Sequence, residues 1–325
     1  MAHKQIFLIP ALVVLMIWHP AGFVGAAERR PEILNSSTIV DQAGRNIAVR
    51  TPFKRVISLY GAHTENLFSL GLMDKIIGVS PHENYPPQAG SKPVFSYHDD
   101  PEKFIAARPD LVLVRPMIDR GYPKFVSMLE QTGTTIVSLQ PASVDEMYTY
   151  WEILGILTGT RDRALKLIRR FKHSVSEFKN SADARLKKKR VYFEAIHSKM
   201  KTFTPESMAI FTLETAGGIN IAADAESVRN TNIAYYGKER ILSHAADIDV
   251  FLAQYGTMNR PTVAMIKNEP GFKIIKAVAE DQIYIIQEQI VSRPTMRLLE
   301  GISRIGRILY PNEFDVKATA IFRTE

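Results

Sequence analysis

The sequence predicts an α/β protein with two lobes of mostly parallel sheet joined by a long helix. Three observations predict this fold. Short β-branched runs alternate with helical segments in two separate sets, a long strand-free stretch lies between the sets, and the same helix-to-strand spacing occurs in both. The 325 residues, 46% of them hydrophobic, are enough for two cores of ordinary domain size. Each lobe is therefore expected to be a Rossmann-like unit.

The predicted strands are short apolar runs rich in valine and isoleucine, bounded by turn residues. They form a first set at 55–59, 76–79, 111–114 and 135–139, and a second set at 190–195, 220–222, 249–253 and 282–286. Helical segments between them make a parallel order the expected one, because parallel strands need crossover connections.

The stretch 144–189 has no strand signal and predicts the connection between the lobes. Apolar residues recur there at steps of three and four, the period of an amphipathic helix, at Leu165, Ile168, Phe171, Val175 and Phe178. A helix over 160–187 would be roughly 40 Å long, enough to reach from one lobe to the other. We therefore predict an N-terminal lobe at 28–143, linker helices at 144–189 and a C-terminal lobe at 190–325. A helical connection without a Gly/Ser hinge predicts small lobe motions.

The first 27 residues have the pattern of a secretory signal peptide. Lys4 precedes an apolar run at 6–18, and small residues lead to an expected cleavage after Ala26 or Ala27. No later stretch approaches the length of a membrane span, so we expect a periplasmic protein. The absence of cysteine excludes disulfides, Fe–S clusters, thiolate zinc sites and lipid attachment to cysteine.

The formal charge of +7 does not predict a nucleic-acid partner. Its lysines and arginines are spread along the chain apart from the run at 187–190, which we interpret as a solvated helix end.

The two halves share a local spacing. Glu102 begins a short helical pattern and Asp110 opens a strand eight residues later, and Glu239 and Asp247 repeat this arrangement at the same distance. The matching spacing indicates that the two lobes are duplicated units.

Six segments together resemble the periplasmic binding proteins that serve importers of ferric siderophores, haem and cobalamin. They are KRVISL at 54–59, TENLFSLG at 64–71, IGVS at 77–80, the run from PE at 101–102 to RPDLV at 108–112, LGILTG at 154–159 and AGGINIA at 216–222. The resemblance covers about 41–311. It implies a monomeric receptor without a cofactor of its own, which holds its ligand between the lobes and is not an enzyme. Its implied partners are an ABC permease and the permease's ATPase, with Glu102 and Glu239 as the permease contacts.

Ligands of open parallel sheets bind beyond the carboxyl ends of the strands, so residues that follow the predicted strands are candidates for the ligand site. The candidates selected in this way are Tyr60, His63, Tyr85, Arg115, His197 and Tyr255. The resemblance implies three more, Tyr97, Tyr235 and Tyr236, which lie at or near places where the family's cobalamin receptors have aromatic cleft residues. His98 is added as a candidate haem-iron ligand and Arg293 as a candidate partner of ligand carboxylates. Aromatic walls suit a large flat or macrocyclic ligand. Arg115, Arg229 and Arg293 could hold its carboxylates through forked hydrogen bonds.

An iron chelate, either a siderophore or haem, is the first expected ligand, and cobalamin is the second. Tyr85-Pro86-Pro87 resembles the cobalamin branch of the family. A bare metal site is not predicted, because Asp99 and Asp100 in the acidic and histidine-rich segment are expected to cap the helix that begins at Pro101. A metal-dependent hydrolase built from that segment and a sensor with a receptor fold remain alternatives. Sequence motifs of nucleophile elbows, P-loops, dinucleotide sites and zinc proteases are absent.

Overall fold

The computed structural model describes residues 29–183, 187–228 and 231–311. The predicted signal peptide and Arg229 lie outside these residues. Within these three ranges, no helix is both long and apolar enough to cross a membrane.

The N-terminal lobe is built around a four-stranded parallel sheet in the order β5-β4-β6-β7. A small antiparallel sheet precedes it, formed by β1 (Glu32–Asn35), β2 (Thr38–Val40) and β3 (Asn46–Ala48). The parallel strands are β4 (Val56–Ser58), β5 (Ile76–Val79), β6 (Leu111–Val114) and β7 (Thr135–Ser138). The helices are α1 (Gly61–Ser69), α2 (Pro101–Ala107), α3 (Pro116–Gly121) and α4 (Pro123–Gln131), with 3₁₀ turns at Met73–Lys75 and Pro87–Ser91.

Two helices follow the first lobe, within the stretch that was predicted to contain the linker helices. They are α5 (Val144–Thr158) and α6 (Arg161–Asp183). Gly159 separates them with a left-handed φ of +72°, a conformation that favours glycine and ends α5. The predicted apolar stripe is buried at Ile168, Phe171, Val175 and Phe178. With 23 residues, α6 is roughly 35 Å long.

The C-terminal lobe contains a seven-stranded sheet. Its strands are β8 (Arg190–Ile196), β9 (Lys201–Phe203), β10 (Ile219–Asn220), β11 (Glu226–Ser227), β12 (Ile233–Tyr235), β13 (Val250–Tyr255) and β14 (Ile283–Gln287). The order is β11-β12-β9-β8-β13-β14, with β10 also paired to β8. Strands β10, β8, β13 and β14 are parallel, whereas β9 pairs antiparallel with both β8 and β12.

Six α-helices of this lobe cover its sheet, and two 3₁₀ turns accompany them. The α-helices are α7 (Met208–Thr215), α8 (Lys238–Ser243), α9 (Val263–Asn268), α10 (Lys276–Ala279), α11 (Glu288–Val291) and α12 (Leu298–Leu309). The 3₁₀ turns are His197–Lys199 and Phe272–Ile274. Helix α6 packs against α5 on one side and against α7 and α12 on the other, so it contacts both halves of the chain. The predicted fold class, α/β with parallel sheet and a long connecting helix, is confirmed.

A second connection joins the lobes besides α6. The loop between α11 and α12, which we call the 292–297 segment, inserts against helices α1 and α5. The Pro294 carbonyl accepts hydrogen bonds from Asn66 Nδ2 at 2.9 Å and from Trp151 Nε1 at 3.1 Å, and both donors are fully buried. Because a buried donor without a partner costs free energy, these bonds fix the segment on the N-terminal lobe.

A buried polar network lies directly behind this contact. His63 Nε2 lies 3.2 Å from the Val114 carbonyl, and His63 Nδ1 lies 2.7 Å from Tyr150 Oη. Since a carbonyl can only accept, Nε2 carries the proton and Nδ1 accepts from the tyrosine, which in turn accepts from Asn66 Nδ2 at 3.2 Å. Burial lowers the pKa of His63 to about 3, so the ring is neutral in the folded protein.

This neutral histidine predicts acid sensitivity. The unfolded chain binds a proton at His63 below pH 6.5 and the folded chain does not, so His63 opposes folding as the pH falls from 6.5 towards 3. Each pH unit in this window costs about 1.4 kcal/mol. We expect His63→Gln to reduce the loss of unfolding free energy between pH 7 and pH 5 by about 2 kcal/mol. Urea titrations followed by tryptophan fluorescence measure it, because Trp151 lies beside the network.

His173→Gln is the matched control, because His173 is exposed on α6. It should keep the pH dependence of the wild-type protein. An equal pH dependence in His63→Gln and wild-type protein would contradict the assignment of a neutral His63.

Candidate functional site

The candidate site is a cleft where the carboxyl ends of the parallel strands of the two lobes meet. Helix α1 follows β4, and the loop with Glu83 follows β5, while the 292–297 segment follows β14 and α11 in the other lobe. Arg293 of that segment contacts Glu65 and Glu83 of the first lobe. Loops that follow parallel strands of both lobes therefore lie against each other, the location in which open α/β sheets bind ligands.

Tyr60 and Arg115 form one part of the cleft floor. Each residue directly precedes a helix at the end of a parallel strand, Tyr60 before α1 and Arg115 before α3. The Arg115 guanidinium carbon lies 4.8 Å from the centre of the Tyr60 ring, within the range of a cation–π contact. Burial raises the pKa of Tyr60 to about 12, so its hydroxyl stays protonated and can donate. Arg115 Nε is buried and lacks a hydrogen-bond partner among the described residues.

Two glutamates and two arginines form the other part of the floor, at the junction of the lobes. Arg293 Nη1 lies 3.1 Å from Glu65 Oε1 and 3.7 Å from Glu83 Oε2. Arg297 Nη1 lies 3.9 Å from the same Glu65 oxygen. Burial raises the pKa of both glutamates, and the neighbouring arginines oppose this shift. The arrangement can hold the lobes together and can present hydrogen-bonding groups to a ligand.

The loops of the N-terminal lobe carry two groups of aromatic side chains, of which Tyr85 contacts the floor through Arg297. The Tyr85 ring is 42% exposed, and the Arg297 guanidinium carbon lies 4.1 Å from its centre. The rings of Tyr97, His98 and Tyr122 pack together with centroids 4.3 to 5.2 Å apart. Both groups are partly accessible and supply flat apolar area.

The C-terminal lobe has Tyr255 at the end of β13 and the buried His197, paired with two glutamates, at the end of β8. Tyr255 is the last residue of β13 and is 38% exposed, and it lies beside Gln287 at the end of β14. His197 Nδ1 lies 2.8 Å from Glu194 Oε2, and His197 Nε2 lies 3.7 Å from Glu269. The hydrogen bond to Glu194 raises the pKa of His197, although burial opposes the shift. This histidine is 6% exposed and directly follows the last residue of β8.

Three of the residues that the sequence predicted for the site do not face the cleft. His63 is fully buried, and protein groups occupy both of its ring nitrogens, so it has no atom available to a ligand in this structure. Tyr236 points into the core, 1% exposed, with its ring next to Tyr192. Tyr235 is 61% exposed at the end of β12, on the outer part of the sheet and distant in strand order from β13. We leave these three residues out of the proposal below.

Sequence reasoning missed part of the floor. The predicted site residues did not include Glu65, Glu83, Glu288, Arg297 or Tyr122. The charge of Glu288, at the start of α11, acts on both Tyr60 and Arg293. Its position directly after β14 was the available signal. Among the residues that the structure describes, no group of three histidine, aspartate or glutamate side chains is arranged to hold a metal ion.

The two glutamates predicted to contact a permease occupy equivalent places. Glu102 lies in the first turn of α2 and Glu239 in the first turn of α8, and both are exposed. Asp100 caps α2 by accepting from the Glu102 amide at 3.1 Å, so Glu102's carboxylate is not needed for capping.

Comparison with known proteins identifies the family. The model of the family described as "Periplasmic binding protein" matches residues 56–290. An uncharacterized ABC transporter substrate-binding lipoprotein of Bacillus subtilis is 24% identical over 94% of this chain and 96% of its own length. The vitamin B12-binding protein of Vibrio cholerae is 25% identical over 78% of this chain and 88% of its own.

A solved structure from Staphylococcus epidermidis has a similar fold. It is described as a possible iron-binding (periplasmic solute-binding) protein, and it superposes with a TM-score of 0.70 at 28% identity, covering 80% of this chain and all of its own. The chain therefore belongs to the periplasmic binding protein family and is a substrate-binding protein of the ABC-transporter type, not an enzyme.

Proposed function

We propose that the chain is the periplasmic receptor for a corrinoid, which it holds in the inter-lobe cleft and delivers to an ABC permease. The observation that carries the proposal is the composition of the cleft, which combines exposed tyrosines with a charge-balanced floor. The similarity to the vitamin B12-binding protein over most of its length supports it.

The tyrosines favour a large ring. Tyr60 and Tyr255 lie at the ends of strands from the two lobes, and Tyr85 and Tyr97 lie in the loop between β5 and α2. All four are at least partly accessible. Aromatic rings supply contact area at low cost in side-chain entropy, so walls of this kind suit a macrocycle better than a small polar solute.

The floor favours a ligand without net negative charge. Arg293 and Arg297 already lie near Glu65 and Glu83, so they are less available for haem propionates or siderophore carboxylates. A corrinoid carries peripheral amides, whose carbonyls accept hydrogen bonds and whose N–H groups donate them. Arg115, with its unpartnered Nε, can donate to such a carbonyl, and the glutamates can accept from the amides. We therefore place the corrinoid before the iron chelate that the sequence favoured.

Delivery requires contact with a permease, and Glu102 and Glu239 are the proposed contacts. One glutamate on each lobe gives two negative charges that match a two-fold symmetric partner and set the orientation of docking. This proposal also requires export through the predicted signal peptide.

Ligand binding tests the first part. We expect calorimetry to show cyanocobalamin binding, and we expect Tyr85→Ala and Tyr255→Ala each to weaken it about 10-fold through lost ring contact. Met73→Ala, an exposed apolar residue before the amino end of β5, is the control and should change nothing. Binding of haemin or a ferric chelate without binding of cyanocobalamin would reject the corrinoid assignment.

Uptake tests the docking residues. We expect the double variant Glu102→Ala, Glu239→Ala to bind cyanocobalamin with wild-type affinity and to lose corrinoid uptake in cells. The control is Asp74→Ala with Glu280→Ala, which removes one exposed carboxylate from each lobe elsewhere. Normal uptake by the double glutamate variant, or weakened binding in solution, would argue against the docking role.

A further inference from the structure

A cluster of opposite charges lies under the cleft where the two lobes meet. Glu65, Glu83 and Glu288 supply the negative charges, and Arg115, Arg293 and Arg297 supply the positive ones. Three carboxylates thus oppose three guanidinium groups. Arg297 also pairs with a fourth carboxylate, that of the more exposed Glu300, at 3.1 Å. The floor therefore has no excess of positive charge although it is rich in guanidinium groups.

The arginines in this cluster keep unused hydrogen-bonding capacity. Arg115 Nε and Arg293 Nε are both buried and lack hydrogen-bond partners among the described residues. Nearly all buried polar groups of proteins have a partner, so these atoms indicate that the floor receives a polar ligand group or water. The carboxylates, not a shortage of donors, therefore limit how well an anionic ligand competes for these arginines.

We propose that Glu83 sets the charge selectivity of the cleft, so that it accepts an uncharged ring and rejects an anionic one of the same shape. This inference rests on the proposed corrinoid function. Glu83 places its charge 3.7 Å from Arg293, and its charge also acts on Arg115. In a partly buried site, one uncompensated charge attracts or repels a charged ligand much more strongly than it does in water. Removal of the Glu83 charge shifts the charge of the floor by +1 and leaves Arg293 with one carboxylate neighbour fewer.

Glu83 is better suited to this role than Glu65. Glu65 is 2% exposed and lies near both Arg293 and Arg297, so it also fixes the 292–297 segment. Glu83 is in the loop after β5, and its second oxygen accepts from Ser80 Oγ of the same loop at 2.7 Å. A glutamine at this position keeps an oxygen for Ser80, loses the charge and presents an NH2 group instead of an oxygen to Arg293.

The test compares two ligands that differ by a single charge. The probes are cyanocobalamin and the monocarboxylic acid made by hydrolysing one of its peripheral propionamides, with haemin as an unrelated anionic ring. We expect Glu83→Gln to raise affinity for the acid and for haemin by about 10-fold, because a hydrogen bond to a charged partner contributes about 1.5 kcal/mol or more. Affinity for cyanocobalamin should change by less than about 3-fold.

Two further variants separate charge from structure. Glu83→Gln combined with Arg293→Gln removes one charge of each sign, which restores the original charge of the floor, and should lose the gain in affinity for anions. Arg115→Gln moves the charge of the floor in the opposite direction and should weaken the acid relative to cyanocobalamin, which also gives a test if Glu83→Gln does not fold. Glu280→Gln, an exposed carboxylate after α10, is the matched control and should match the wild type.

The outcomes distinguish this inference from the proposed function. If wild-type protein binds cyanocobalamin and Glu83→Gln gains nothing for either anion, the selectivity role is overturned and the corrinoid function stands. If wild-type protein binds haemin but not cyanocobalamin, the corrinoid function fails. The ratio of haemin affinities of Glu83→Gln and wild type then still decides the selectivity role. Equal gains for neutral and anionic probes would also overturn it.

Discussion

The structure depends on the contact that the 292–297 segment of the C-terminal lobe makes with the N-terminal lobe. Pro294 offers a carbonyl to two buried donors, Asn66 and Trp151, and the flanking Arg293 pairs with Glu65. Neither donor has a route to water, so separation of the lobes would leave both without their present partner. Helix α6 then sets the distance between the lobes, and the segment sets their orientation.

This contact also explains why the ligand floor is charged. Arg293 performs two tasks, because it pairs with glutamates of the other lobe and lies at the bottom of the cleft beside Tyr60. A buried ion pair between elements is costly to break on one side, since the remaining charge stays buried. The residues that hold the lobes together are therefore also the ones that we propose determine which ligand charge the cleft accepts.

Much of the fold was accessible from the sequence. The buried strands could be predicted because parallel strands that are covered on both faces are continuous apolar runs, as at 111–114. Helix α6 could be predicted because its apolar residues recur with a helical period. Strands β1 to β3, β9, β11 and β12 were missed, since pieces of two to four residues carry too little periodicity. The predicted helix at 160–187 corresponds to α6, which begins after Gly159, the residue whose left-handed backbone conformation ends α5.

The site was less accessible, for a physical reason. Position after a strand drew attention to Tyr60 and Arg115, but the pairing of Arg293 with Glu65 joins residues far apart in the chain, and no local spacing encodes it. The same rule included the fully buried His63, because position after a strand does not say whether a side chain turns towards the cleft or into the core.

The central claim is that two connections hold a preformed cleft, and a distance measurement between the lobes tests it most directly. The chain has no cysteine, so one double variant can carry a spin label on each lobe. The labels are attached at Lys124→Cys on α4 and at Lys273→Cys in the 3₁₀ turn after α9. Pulsed electron spin resonance with and without cyanocobalamin should give inter-label distances that agree within roughly 2 Å. A shift of many ångströms on ligand binding would contradict a cleft fixed by α6 and the 292–297 segment.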